Sequence, residues 1–343
     1  VIRSTSIHVV LLLLVVVGLL LSVSIGQLGV GAKGAAGSLL DALGWSTTWV
    51  PQPEIMNASL QQIRFPRALM SMLVGAGLAV AGAVMQAIFG NPLAEPGVVG
   101  VSAGAALGAA VAIAAGATFL GVWAIAAAAF VGGFASTLLV YLVSRSHGRT
   151  EVVTLLLTGI AVNAFAGAGM ALVMFAGSTG TREQIVFFQL GTLNGARWPE
   201  VVVVLLVTLP AVAACWVLAR QYDLLSLGER TAAHLGIRVE RLRSGSIVLV
   251  ALLTAVGVAF AGIIAFVGLV VPHLLRMVLG PGHRMLIPAS MLGGAVLLVW
   301  ADIVARTAME AADLPIGLLT SLIGGPFFLY LIIRSRRRAG GWA

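Results

Sequence analysis

The chain has 343 residues, 60% of them hydrophobic and 9% charged, with a formal net charge of +8 and a mean hydropathy of +1.08. Soluble domains carry about 25% charged residues, so this composition excludes one and gives an integral membrane protein. A single cysteine, Cys215, excludes a disulfide framework or a cysteine-based metal site, and the basic residues cluster in short loops between apolar spans, which reads as membrane topology rather than nucleic-acid binding.

A spanning helix needs about 20 residues at a rise of about 1.5 Å each. Ten candidate spans meet or approach that length: residues 8–26, 67–89, 98–116, 120–143, 152–175, 200–219, 245–266, 268–279, 286–305 and 315–333. The first resembles a signal peptide, with Arg3 ahead of an apolar run, but it is long enough to cross and is expected to stay as the first helix. Residues 29–63, with Lys33, Asp41, Pro51, Pro53 and Glu54, read as an extracytoplasmic loop.

Between the second and third spans lies Asn91-Pro92-Leu93-Ala94-Glu95-Pro96-Gly97. Two prolines remove two backbone donors and disfavour helix at the residues before them, so the chain turns here. Polar, non-helical backbone near a bilayer survives at the water interface or against a protein-lined cavity, so the turn sits at an interface or beside a transport path. Glu95 has no evident role; an arginine partner or a cap on the next helix are the two roles to look for.

Gly100, Gly104 and Gly108 sit four apart on one face of the third span, and Gly159, Asn163 and Gly167 repeat the spacing in the fifth. Both predict close helix packing rather than chemistry. Gln86 and Asn163 are amides in apolar spans and are expected to bond neighbouring helices, because an unpaired amide in hydrocarbon is costly. Residues 178–198 read as an extracytoplasmic surface helix, with Ile185–Leu190 its apolar part. Residues 220–243 form the longest inner loop, in which Leu227-Gly228-Glu229-Arg230-Thr231-Ala232-Ala233-His234-Leu235-Gly236 predicts a short helix bracketed by glycines, suited to docking a cytoplasmic protein. The eighth span, 268–279, crosses only if non-helical backbone extends it. His273 and His283 lack ligand spacing to other histidines or to carboxylates and are expected to be structural.

The arginines orient the spans. With Arg3 inside, fourteen of the 20 Lys and Arg residues fall on the inner side, and Lys33, Arg64, Arg67, Arg182, Arg197 and Arg306 fall outside. This places both termini in the cytoplasm. Arg64, Arg67 and Arg306 at outer helix ends have two readings, interfacial snorkelling or a basic patch that meets an acidic partner. Few titratable groups lie deep in the spans, which argues for energy supplied from outside the chain rather than by ion coupling. No catalytic spacing supports a membrane enzyme, and no GxxxxGK[ST] stretch or soluble domain is present; residues 1–343 form one membrane domain.

Arg64–Arg67 followed by VGAGLAVAGAVMQAIFGNPLAEPGVVGVSAGAALGA, then LGERTAAHLGI at 227–237, AFVGLVVPHLLRMVLGPGHRMLIP at 265–288 and ADIVARTAMEAADLPIGLLTSLIGGPFFLYLI at 301–332, resemble the FecCD-type permeases of type II ABC importers for iron-siderophore complexes, haem and cobalamin. The resemblance runs from about residue 60 to the end. It implies an all-α, ten-helix fold with inverted repeats over about 67–175 and 245–333, in the inner membrane of a bacterium. It implies a homodimer set in lipid, two cytoplasmic ATPase subunits that hold ATP and Mg, one extracytoplasmic binding protein, and no cofactor in this chain. By position it makes Arg64, Arg67 and Arg306 the residues that dock the binding protein, in place of snorkelling. It makes Asn91 and Leu93 the cytoplasmic gate, with a weaker match near Arg149–Val152, and 227–237 the helix that couples to the ATPase. The stretch REQIVFFQLGTLNGARW is more similar to haem permeases than to the cobalamin one. The expected cargo is therefore an iron chelate, haem ahead of ferric siderophore, with cobalamin as the alternative and a stand-alone secondary carrier behind it.

Overall fold

The structure, a computed structural model, describes every residue except 1, 27–29, 46, 118–121, 147–148, 310–311 and 339–343. The side chains of Arg3, Arg149 and the tail arginines lie outside what it describes. The chain is built from helices α1 (Ile2–Ser24), α2 (Gly31–Ala42), α3 (Glu54–Ser59), α4 (Phe65–Phe89), α5 (Val101–Ala114), α6 (Val122–Val143), α7 (Val152–Ala176), α8 (Thr179–Leu190), α9 (Trp198–Val217), α10 (Ala219–Leu225), α11 (Glu229–His234), α12 (Val239–Ala261), α13 (Val267–Leu279), α14 (His283–Thr307) and α15 (Ile316–Arg338). A two-stranded hairpin, β1 (Arg145–Ser146) and β2 (Arg149–Thr150), joins α6 to α7, with Arg145 opposite Thr150.

Among the described residues seven helical stretches are long and apolar enough to cross a membrane, and Val101–Ala114, Val267–Leu279 and Ile316–Tyr330 are shorter apolar stretches. Together they are the ten expected crossings. At about 1.5 Å per residue α5 and α13 are about 20 Å long, short of the roughly 30 Å of hydrocarbon. Non-helical backbone extends both. A single 3₁₀ turn, Pro96–Val99, and a left-handed Gly100 lead into α5. Residues 262–266 lead into α13 and end on Phe266, which is left-handed at φ 67°. A side chain rarely adopts that conformation. Gly324 of α15 makes room for it, because a Cβ there would collide with the Phe266 ring.

The packing follows the expected inverted repeat. Helix α4 lies against α13 and α14, and α12 lies against α5 and α6, with α4 and α12 in contact at the centre. Small residues set these approaches, because apolar packing in lipid gains most from backbones that come close. Gly75 meets the carbonyl of Gly294 and Gly82 that of Gly268, so α4 carries a glycine face for both partners. Gly104 lies on Gly132 and Ser136, Gly108 on Ala128, and Gly159 on the Val98 carbonyl; Gly167 faces open space. Both intramembrane amides bond neighbouring backbone: Gln86 Nε2 donates to the Leu269 carbonyl at 3.3 Å and Asn163 Nδ2 to that of Gly97 at 3.3 Å. The first helix belongs to the bundle, since Trp300 Nε1 of α14 donates to the Leu14 carbonyl at 3.2 Å and Gly18 seats the Trp300 ring.

Two segments are more ordered than the sequence suggests. Residues 29–63, read as loop, contain α2, α3 and a π turn at Leu60–Arg64 that runs into α4. Asp41 of α2 holds the segment together by accepting from Asn57 Nδ2 at 3.0 Å and Gln61 Nε2 at 3.2 Å. In the 178–198 segment the helix spans Thr179–Leu190, starting earlier than Ile185. Ser178 Oγ caps it by accepting from the Thr181 amide at 3.3 Å, and Ile185 is its buried anchor. Gly191, at φ 69°, then ends the helix. The turn bonds two other elements: Thr192 donates to the Ala261 carbonyl at 2.8 Å, and Ile316 to that of Gly191 at 3.0 Å.

Candidate functional sites at the two ends of the bundle

At one end, Arg64, Arg67 and Arg306 come together although more than 200 residues separate the first two from the third. They line a cavity of about 730 Å³ with Asp313, Phe187 and Asn194. Arg64 and Arg67 are buried, so neither snorkels. Arg67 is held by two carboxylates, with Nη2 2.9 Å from Asp302 Oδ1 and Nη1 2.6 Å from Asp313 Oδ2. Arg306 Nε is 3.1 Å from Asp302 Oδ2, one helical turn earlier on α14. Arg306 Nη2 also donates to the carbonyl and hydroxyl of Ser22, at 3.0 and 2.8 Å, and Arg64 Nη1 donates to the Val23 carbonyl at 2.9 Å. These oxygens belong to the last turn of α1, which has no intrahelical donors and carries the negative end of the helix dipole. Arg64 and Arg306 therefore cap α1 as well as line the cavity. Three guanidiniums meet two carboxylates, so the cluster keeps a net positive charge.

Asp302 and Asp313 are the functional-site residues that motif reading passed over. Asp302 carried a signal, since Asp302 and Arg306 are four apart on one helix face. Asp313 lies in the α14–α15 connection and carried none.

Near the opposite end, Asn91 and Leu93 share one turn. Gly90, at φ 59°, stops α4, and the Asn91 side-chain oxygen accepts from the Leu93 amide at 2.9 Å. Such a turn mimics a backbone turn and fixes both residues. Asn91 is exposed and Leu93 half-buried. Pro96 packs beside Gly268 and the Pro92 carbonyl faces His273, so the turn rests on α13. Glu95 precedes the 3₁₀ turn but its side chain caps nothing. Burial pushes its carboxyl above the usual range, and among the described residues no ion pair compensates.

Farther along the same end, α11 occupies Glu229–His234 between Gly228 at φ 104° and Gly236 at φ 86°. The bracketing glycines supply conformations that side chains rarely adopt. Ala232 is buried at the base, while Leu227 and Leu235 are 61% and 56% exposed. Glu229, Arg230, Thr231, Ala233 and His234 are exposed too. The segment offers two leucines and a set of charges to solvent, which suits an interface. His283 is structural: its Nδ1 lies 2.8 Å from Asp223 Oδ1, tying α10 to the start of α14.

This is the architecture of a multi-pass helical membrane protein with a polar site at each end. The FecCD transport family model matches residues 12–334, and the chain belongs to that family. It is 41% identical over 282 residues to the hemin transport system permease protein HmuU of Yersinia pestis, covering 81% of this chain and 84% of that one. Identity to the cobalamin import system permease protein BtuC of Halobacterium salinarum is also 41%, over 280 residues, 82% of this chain and 74% of that one. A solved metal-chelate type ABC transporter in an inward-facing conformation superposes with a TM-score of 0.83 at 32% identity, over 96% of this chain and 99% of that one. The chain is thus a multi-pass membrane permease of the ABC importer class.

Proposed function

We propose that this permease passes an iron chelate, haem ahead of ferric siderophore, across the inner membrane of a bacterium. It works as a homodimer with two cytoplasmic ATPase subunits and one extracytoplasmic binding protein. The observation that carries the reading is the separation of the two sites, the arginine cluster at one end and the exposed α11 segment at the other. The arginine end faces outward and both termini lie in the cytoplasm, as the excess of arginine in the α11-side loops favours.

Acidic lobes of the binding protein meet the net positive cluster of Arg64, Arg67 and Arg306 in both copies. Charges of this kind set encounter rate and orientation more than final affinity. ATP binding closes the ATPase pair, α11 carries the closure into the membrane, and the Asn91–Leu93 turn opens or shuts. Its Asx turn and two prolines keep the gate stiff, so gating comes from helices that move as rigid bodies. No titratable cargo site within the spans is needed, because the binding protein selects the cargo.

Haem leads because residues 182–198 resemble haem permeases. Cobalamin is the second reading, favoured by the equal 41% identity to the cobalamin permease. The test is capture of the cognate binding protein on the purified permease, followed by titration with haem, ferric siderophores and cobalamin. Tight binding of haem or a ferric siderophore is expected; selective binding of cobalamin would replace the cargo assigned here.

A further inference from the structure

The coupling segment packs against α10 and α12, and a buried polar clamp continues from α12. Arg243, in the second turn of α12, is 3% exposed. Its Nη2 lies 2.6 Å from Glu229 Oε1 of α11, and its Nη1 donates to the Thr150 carbonyl at 3.2 Å. One guanidinium therefore joins the coupling segment to β2. Glu240, one turn earlier on α12, holds the same residue from the other side. Glu240 Oε2 accepts from the Thr150 amide at 3.0 Å, and Oε1 accepts from the Thr150 hydroxyl at 2.5 Å. Tyr141 of α6 donates to Glu240 Oε1 at 3.2 Å. Thr150 is thus gripped at its amide, carbonyl and hydroxyl by two side chains of α12.

Thr150 stands two residues before α7. Glu151, between them, is the N-cap position of α7, and its amide donates to the Ser144 carbonyl at 3.1 Å, closing the hairpin. Helix α7 is the least covered of the long helices, with 11% of its apolar window buried. Its open face carries Leu157, Ile160, Phe165, Leu172 and Phe175. A displacement at Glu229 has a short, rigid route to this helix, because charge-assisted bonds are short and directional and buried networks of this kind act as units.

We propose that Arg243 and Glu240 are positioning residues that carry the motion of α11 to the start of α7, through Thr150. The idea rests on the assignment of 227–237 as the ATPase-docking segment. Glu229 then has two tasks: its exposed flank meets the ATPase and its carboxylate pulls on Arg243. The surface arginines of the same loop, Arg230, Arg238 and Arg241, have no such inward partner among the described residues.

The test uses the complete transporter in liposomes, with Arg243→Gln and Glu240→Gln, and measures cargo taken up per ATP hydrolysed. A nitroxide at Val153, which is 69% exposed on α7, reports the distance between the two copies with and without ATP. Both variants are expected to retain bound ATPase and its hydrolysis, while uptake per ATP falls at least about tenfold, within the range of coupling between sites. The ATP-driven distance change should vanish, a readout that a merely structural role would leave in place. Glu240→Gln keeps the side-chain shape and serves if Arg243→Gln fails to fold. Normal uptake per ATP and a normal distance change in Glu240→Gln would overturn the relay. A wild-type chain that binds no ATPase would remove the docking assignment first, and the relay with it.

Discussion

Arg67 and Asp302 form an ion pair in which Nη2 and Oδ1 are 2.9 Å apart and the aspartate side chain has no exposure at all. Their positions are 235 residues apart in the chain, so the pair locks the start of α4 to the C-terminal part of α14. Arg306 lies on the other carboxylate oxygen. Two of the three arginines assigned to the binding-protein side in the proposed function, Arg67 and Arg306, are therefore also structural, held in place by Asp302.

Removing that carboxylate leaves two nearly buried guanidiniums without their shared counter-charge. Asp302→Asn is expected to cost about 3–5 kcal/mol, as for other broken buried pairs. The check is the thermal unfolding midpoint of the detergent-solubilised protein, with Asp313→Asn as the milder comparison because Asp313 is 34% exposed. An unchanged midpoint in Asp302→Asn would show that the cluster is not structural.

Gly82→Ala should separate α4 from α13, because the added Cβ would meet the Gly268 backbone. Overpacking of this kind costs about 1–3 kcal/mol. Gly167→Ala, with nothing within 4 Å of its Cβ, is expected to be neutral or slightly stabilising in a helix. Comparing the two midpoints separates packing glycines from those merely present in a span.

Glu95→Gln tests the half-buried carboxylate beside the Asn91–Leu93 turn. A carboxyl whose folded pKa is raised is most compatible with the fold when protonated, so it lowers stability as pH rises from the unfolded value through the folded one. Burial is the cause of the raised value. Glu95→Gln is therefore expected to raise the unfolding midpoint at neutral pH and to match wild type at acid pH. Equal midpoints at both would remove the desolvation argument.

Much of this was legible from the sequence. The ten crossings followed from apolar length, and the Asn91–Gly97 break from its two prolines. The glycine brackets around Glu229–His234 followed from residue type. Other features left weaker traces. Helix α2 is rich in Gly and Ala and is tied down through Asp41, whose partners Asn57 and Gln61 are distant in sequence, so no periodic apolar face announced it. Phe266 takes a left-handed conformation because Gly324 yields space, a fact of tertiary packing. The clamp on Thr150 joins three segments, and no local spacing encodes it. The arginine cluster was found by resemblance; its two aspartates were visible only once the fold brought α4 and α14 together.

Substituting both Glu229 and Arg230 by alanine removes two charges from an exposed segment but also strips the buried Arg243 of its carboxylate, so Arg230→Ala alone is the variant whose fold should be little changed. Surface substitutions away from packing features usually fall within about 0.5 kcal/mol. Transport is expected to fall at least about tenfold, the range of coupling between sites, measured as ATP-dependent uptake with expression and dimer size as controls. Full uptake would argue that the ATPase engages another part of the 220–243 loop.

The most direct measurement is nucleotide-dependent uptake in liposomes holding the purified permease, with and without its ATPase, and with the cognate binding protein supplied on one side. Haem or ferric siderophore is expected to accumulate only when ATP, the ATPase and the binding protein are all present. Equal uptake by the permease alone would contradict an ATP-driven importer and point to a stand-alone carrier.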